Sequence, residues 1–223
     1  MNKVYIRCRF TLVELLIVVG IIAVLAGLVL PAVIGGIQQG RITQAKSDLA
    51  AIMMALKGVE GTYGKMFNAS GNTLSFNGKT ASYDSTNEFF SVSNNCPNAY
   101  NAFIAELSVP KNTGLTALNV NKRKIKFLEP KPNFDPEKAY DNAVNTPHLW
   151  LDPWGNAYVI LFSPSGADKI KVSSSKTIAA KAAGYSIGPN GKDDKGCNVD
   201  LDCIYDDDKA NHKLHDDIAT WNN

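Results

Sequence analysis

The sequence predicts an α+β fold in which one long N-terminal helix, hydrophobic and then amphipathic, packs on a small antiparallel sheet. Three observations predict it. Residues 15–40 carry no charge and are mostly apolar. The apolar pattern then continues into Ile42, Ala45, Leu49, Ile52, Leu56 and Val59, spaced by alternating threes and fours as on one face of a helix. Beyond residue 61, short β-branched and aromatic runs alternate with turn-forming residues. At 223 residues and 45% hydrophobic composition the chain suffices for one domain with a real core plus an extra element.

The first element is the helix. At about 1.5 Å per residue, residues 15–40 are long enough to cross a hydrocarbon core of about 30 Å. Lys3, Arg7 and Arg9 precede it, and the positive-inside tendency keeps that end in the cytoplasm. A cleaved secretory signal, a plain anchor, and a segment that first sits in the membrane and later packs in a filament all fit these features. Glu14 separates them. A carboxylate at the start of an apolar stretch is unfavourable in lipid, and a subunit that later pairs the charge gains from it, whereas a Glu14 merely solvated at the interface carries no such meaning. The predicted helix runs from about residue 11 to about residue 62. Arg41, Lys46, Asp48, Lys57 and Glu60 lie off its apolar stripe, and Pro31 and Gly35-Gly36 are its weak points.

The remaining elements are shorter. Residues 68–95 read as loops with short strands. Residues 99–107 are a candidate short helix, and 122–128 a candidate strand. Pro130, Pro132 and Pro136 mark a surface connection. Asp152-Pro153-Trp154-Gly155-Asn156 is a turn by composition, followed by a strand over 157–162. Residues 169–172 and 183–188 complete a predicted sheet of three antiparallel strands.

Charge and motifs narrow the function classes. The formal net charge of +2 exerts no strong pull toward nucleic acid, and none is expected as a partner. Nine of the 21 acidic residues are aspartates between Asp193 and Asp217, a run that fits either a cation site or a solvated acidic loop. Cys197 and Cys203 flank a loop-like stretch and can close a short-loop disulfide in an oxidising compartment; their spacing is not that of zinc ligands. No nucleophile constellation, metalloprotease motif or phosphate-cradling loop is present, so no catalytic residue and no enzyme activity is assigned. His148, His212 and His215 read as exposed, and Trp150 and Trp154 as packing around a turn rather than a carbohydrate surface.

Phe10-Thr11-Leu12-Val13-Glu14-Leu15-Leu16-Ile17-Val18 resembles the cleavage and methylation motif of type IV prepilins and type II secretion pseudopilins. The resemblance implies cleavage between Arg9 and Phe10 by a prepilin peptidase, N-methylation of Phe10, and pairing of Glu14 with a neighbouring subunit's N-terminus during assembly. The family usually carries Gly where Arg9 stands. Three later segments resemble, in the family's order, parts of the major pseudopilin: Leu151-Asp152-Pro153-Trp154-Gly155-Asn156-Ala157-Tyr158, then Tyr185-Ser186-Ile187-Gly188-Pro189-Asn190-Gly191, then Asp216-Asp217-Ile218-Ala219-Thr220-Trp221-Asn222. Residues 66–148 match no segment of the family.

On this resemblance the fold is pilin-like and the domains are a leader (1–9), a transmembrane and filament-core helix (10–40), its amphipathic continuation (41–65) and a globular domain (66–223). The family's C-terminal loop binds calcium. Carried over by position, the ligands include the carbonyl of Ile187, the side chain of Asn190, where the family usually has Asp, and the carboxylate of Asp217. Asp193 and Asp194, in an insertion longer than usual, can add charge. The implied role is that of a pseudopilus subunit: stored in the bacterial inner membrane with its domain in the periplasm, and polymerised with copies of itself by an inner-membrane assembly platform, alongside minor pseudopilins. A surface type IV pilin, or an anchored periplasmic binding protein that never polymerises, stand as alternatives.

Overall fold

A computed structural model describes residues 11–67, 69–70, 72–76, 79–85, 88–93, 96–108, 121, 123–129, 131–132, 134–135, 150–163, 167–171, 177–189 and 218–220. The fold is α+β. Helix α1 spans Leu12–Tyr63 without interruption, through Pro31 and the Gly35-Gly36 pair. It stops at Gly64, whose φ of 76° suits a residue without Cβ; the Gly64 N–H donates to the Glu60 carbonyl at 2.7 Å and satisfies one of the last turn's acceptors.

The chain divides into two units, 1–41 and 42–223. In the first, every described side chain is exposed, including Leu12, Leu16, Leu28 and Leu30. This part of α1 is long and apolar enough to cross a membrane. In the second unit the predicted stripe is the core: Ala45, Leu49, Ile52, Leu56 and Val59 are buried, joined by Ala55, while Ile42 is half-buried against them.

The strands are β1 (Ala69–Ser70), β2 (Thr73–Phe76), β3 (Lys79–Thr80), β4 (Ser82–Asp84), β5 (Phe89–Val92), β6 (Val159–Phe162), β7 (Ile170–Lys171), β8 (Thr177–Ile178), β9 (Ala182–Ser186) and β10 (Ile218–Ala219). The main sheet is antiparallel with order β10-β9-β6-β5-β4. Separate from it are a three-stranded sheet β1-β2-β3 and a two-stranded antiparallel sheet β7-β8. Along β6, alternate side chains go to opposite faces: Ile160 and Phe162 join the core built on α1, and Leu161 joins a smaller cluster with Phe89, Ile170, Ala183 and Tyr185.

Two expectations are corrected. The main sheet has five strands rather than three. The described residues of the predicted strand 169–172 do not enter it, because Ile170 and Lys171 pair with Ile178 and Thr177 in a separate two-stranded sheet. Its other strands are β10, whose Ile218 and Ala219 pair with β9, and β4 and β5, which come from the segment read as loops with short strands, where the Phe89-Phe90 pair supplies apolar side chains to both faces. Nor is 122–128 a strand among its described residues: the Ile125 N–H donates to Asn121 Oδ1 at 2.9 Å, and its carbonyl accepts from Asn121 Nδ2 at 2.8 Å. One side chain thus takes both backbone groups that a ladder would need.

The short helix predicted over 99–107 is α2, Pro97–Ser108. Its residues from Ala99 to Ser108 are all buried. Phe103 meets Phe162 edge-on at 5.4 Å and Phe76 at 5.2 Å between centroids, so this stretch of the unmatched middle region is core.

Candidate functional site

At the start of α1, Thr11 and Glu14 form a reciprocal cap. The Glu14 N–H donates to Thr11 Oγ1 at 3.3 Å, while Glu14 Oε2 accepts from the Thr11 N–H and hydroxyl, both at 2.9 Å. This is a capping box, which satisfies donors that the first turn leaves without intrahelical partners. The Thr-x-x-Glu spacing at the head of an apolar run is the sequence signal of such a box. Arg9 and Phe10 lie outside the described residues.

A second constellation centres on the 152–156 turn. Asp152 is buried. Its Oδ1 accepts from the backbone N–H groups of Trp154 (3.0 Å) and Asn156 (2.7 Å), and its Oδ2 accepts from the Ser186 hydroxyl (2.7 Å). Three hydrogen bonds to one carboxylate offset the desolvation of its charge. Gly155, at φ 94°, makes the reversal that returns the chain so that the Asp152 N–H donates to the Asn156 carbonyl at 2.7 Å. The Gly188 N–H donates to Ser186 Oγ at 3.2 Å, and the Asn156 amide donates to the Gly188 carbonyl at 3.3 Å. The turn is thereby fastened to the end of β9.

The same turn is fastened to α1. Asp48 Oδ2 accepts from the Tyr158 hydroxyl at 2.7 Å and from Lys131 Nζ at 2.5 Å. Lys131 also donates to the Leu151 carbonyl at 2.7 Å, and its ammonium lies 5.4 Å from the Trp150 ring and 5.6 Å from the Tyr158 ring. Burial foremost, then the bond to Asp48, pushes the Tyr158 hydroxyl well above the usual tyrosine range. Burial does the same to Tyr100, whose hydroxyl donates to the Trp150 carbonyl at 2.7 Å. Trp150 is buried and Trp154 half-buried against the core, so both tryptophans pack. Asp48 and Glu60, read from sequence only as lying off the stripe, are both paired, Glu60 with Lys181.

β10 completes the grouping. Ile218 stands opposite Ser186 and Ala219 opposite Tyr185, while the Thr220 N–H donates to the Gly184 carbonyl at 3.0 Å. The described parts of three segments separated in sequence, 151–158, 185–189 and 218–220, thus lie side by side. No family model, curated protein or solved structure matches this chain.

Of the residues assigned to calcium, Ile187 is buried directly after β9. Asn190, Asp193, Asp194 and Asp217 lie outside the described residues, as do Cys197 and Cys203. The β9–β10 ladder sets Ser186, next to Ile187, opposite Ile218. Among the described residues, no group of three or more His, Cys, Asp or Glu side chains is placed to hold a metal.

Proposed function

We propose that this chain is a structural subunit of a type II secretion pseudopilus, held in the bacterial inner membrane by the first part of α1 and polymerised through it into a periplasmic filament that drives protein export. The observation that carries this reading is a charge-free helical stretch, exposed on all its described sides, that begins at a carboxylate and continues as the core helix of the domain at 42–223. An exposed apolar surface of this size needs either lipid or copies of itself to cover it. The grouping of the three pseudopilin-like segments supports the same reading.

In this function Glu14 exchanges its bonds to Thr11 for the N-terminal amine of a neighbour as the subunit leaves the membrane. Inside a filament an unpaired carboxylate would be strongly unfavourable, so the pairing selects correctly docked subunits. Calcium, held by the Ile187 carbonyl, Asn190 and Asp217 with help from Asp193 or Asp194, would neutralise the acidic loop and tie its ends. The pairing of Ser186 with Ile218 supports this reading, since those residues neighbour Ile187 and Asp217 in sequence.

The deciding experiment separates charge from capping. Glu14→Gln keeps an acceptor for the Thr11 N–H, since Gln serves at this position of a capping box, but removes the charge. Filament formation should disappear in both Glu14→Gln and Glu14→Ala. Normal filaments from Glu14→Gln would reduce Glu14 to a helix cap and defeat the assembly role. Intact-mass spectrometry of the protein from its native membrane should show a chain that begins at methylated Phe10.

A further inference from the structure

Between α1 and the β9–β10 side of the main sheet lies a groove of about 460 Å³. Its lining is mostly small or flexible and apolar, with Ala50, Met53 and Met54 on the helix and Ala180 and Ala182 across from them. Met54 is 72% exposed, the most exposed large apolar side chain among the described residues of the 42–223 unit. The first and last residues that α1 contributes are Lys46 and Lys57, both exposed. Eleven residues of helix set them about 16 Å apart.

The charges on this part of α1 are unevenly satisfied. Both of its carboxylates are taken: Asp48 by Lys131 and Tyr158, Glu60 by Lys181. Among the described residues no hydrogen bond or ion pair engages Lys46 or Lys57. Among the described residues, then, the apolar groove ends on both sides in a cation that no carboxylate engages. A lipid bearing one anionic headgroup would satisfy one end only, and a nucleic acid would leave the alanine and methionine lining unused. A peptide segment with carboxylates at both ends satisfies both cations, and in extended form it needs them about five residues apart. Methionines suit such a role because their unbranched chains adapt to different apolar side chains.

We propose that this groove docks a short extended segment of a partner protein, apolar in the middle and carrying carboxylates at both ends. The docking does not depend on polymerisation and would hold for an anchored monomer as well.

The test uses the full chain in neutral lipid nanodiscs, with empty nanodiscs as the blank. The probes are two hexapeptides with the same four apolar central residues, one ending in glutamates and one in lysines. The glutamate peptide should bind at least about tenfold more tightly, and the Lys46→Glu/Lys57→Glu double variant should invert the preference. Carbodiimide coupling should join the glutamate peptide to Lys46 or Lys57. Ala50→Trp, which projects from an exposed position into the groove, should abolish binding. Equal affinities, failure of both peptides to bind, indifference to the charge reversal or to Ala50→Trp, or coupling to other lysines would each overturn the proposal. So would displacement of the peptide when phosphatidylglycerol is added to the nanodiscs, because the occupant would then be a lipid.

Discussion

Asp152 does more for this fold than its place in a surface-like turn suggests. It accepts from two backbone N–H groups of its own turn and from Ser186 on β9, all while buried. Asp152→Ala would strand those donors, so we expect a loss of about 3 kcal/mol, measured as a lowered denaturation midpoint of the full chain in nanodiscs. A change below about 1 kcal/mol would mean that water replaces the carboxylate. The sequence made the turn legible through Asp-Pro-Trp-Gly-Asn, because Asp and Gly each have a local reason to be there. It could not make the partner legible: Ser186 is 34 residues away, and a lone serine in a strand carries no local signal. Lys131 hid in the same way, read only as part of a proline-rich connection although it joins Asp48 to the Leu151 carbonyl.

Helix α1 is the element that local pattern describes best. Its stripe from Ala45 to Val59 is buried as spaced, and its end falls within two residues of expectation, because periodicity and a terminal glycine are both short-range signals. The stripe gives a paired prediction. Ile52 is fully buried and Met54 largely exposed, so Ile52→Ala should destabilise the domain by roughly 2–5 kcal/mol and Met54→Ala by less than about 0.5, both read by chemical denaturation. Comparable losses at the two positions would mean that the helix is rotated from the orientation described. The sheet was less legible. β4 and β5 sit in a Ser- and Asn-rich stretch that reads as loops with short strands, and nothing local in it tells that β5 pairs with β6, about 70 residues on.

For the molecule as a whole, the tyrosines set a limit at alkaline pH. Tyr100 and Tyr158 hold their protons in the folded state to higher pH than they would unfolded. Lys181 is raised as well, chiefly by its hydrogen bond to Glu60. In each case the folded state binds the proton more tightly, so stability is full below pH about 10 and falls as pH rises beyond it, by up to about 1.4 kcal/mol per unit for each tyrosine. These groups should leave the melting temperature flat between pH 6 and 9 and lower it above 10, with a shallower alkaline fall in Tyr158→Phe. Calcium acts elsewhere: on the proposed function, addition of calcium should raise the melting temperature, and Asp217→Asn should erase that increment. An unchanged melting curve at millimolar calcium would remove the metal from the account.

The bonds that lock the domain also dictate when it can form. Asp48 and Tyr158 are 110 residues apart, and Asp48 and Lys131 are 83 apart. At typical rates of synthesis the interval between Asp48 and its tyrosine is on the order of ten seconds. β9 and β10 follow later still. The apolar helix is thus available for membrane capture long before its own continuation has a sheet to cover. For that interval Leu49, Ile52 and Leu56 form a bare stripe on a nascent chain, and whatever shields it then belongs to the biogenesis of this protein as much as its final contacts do.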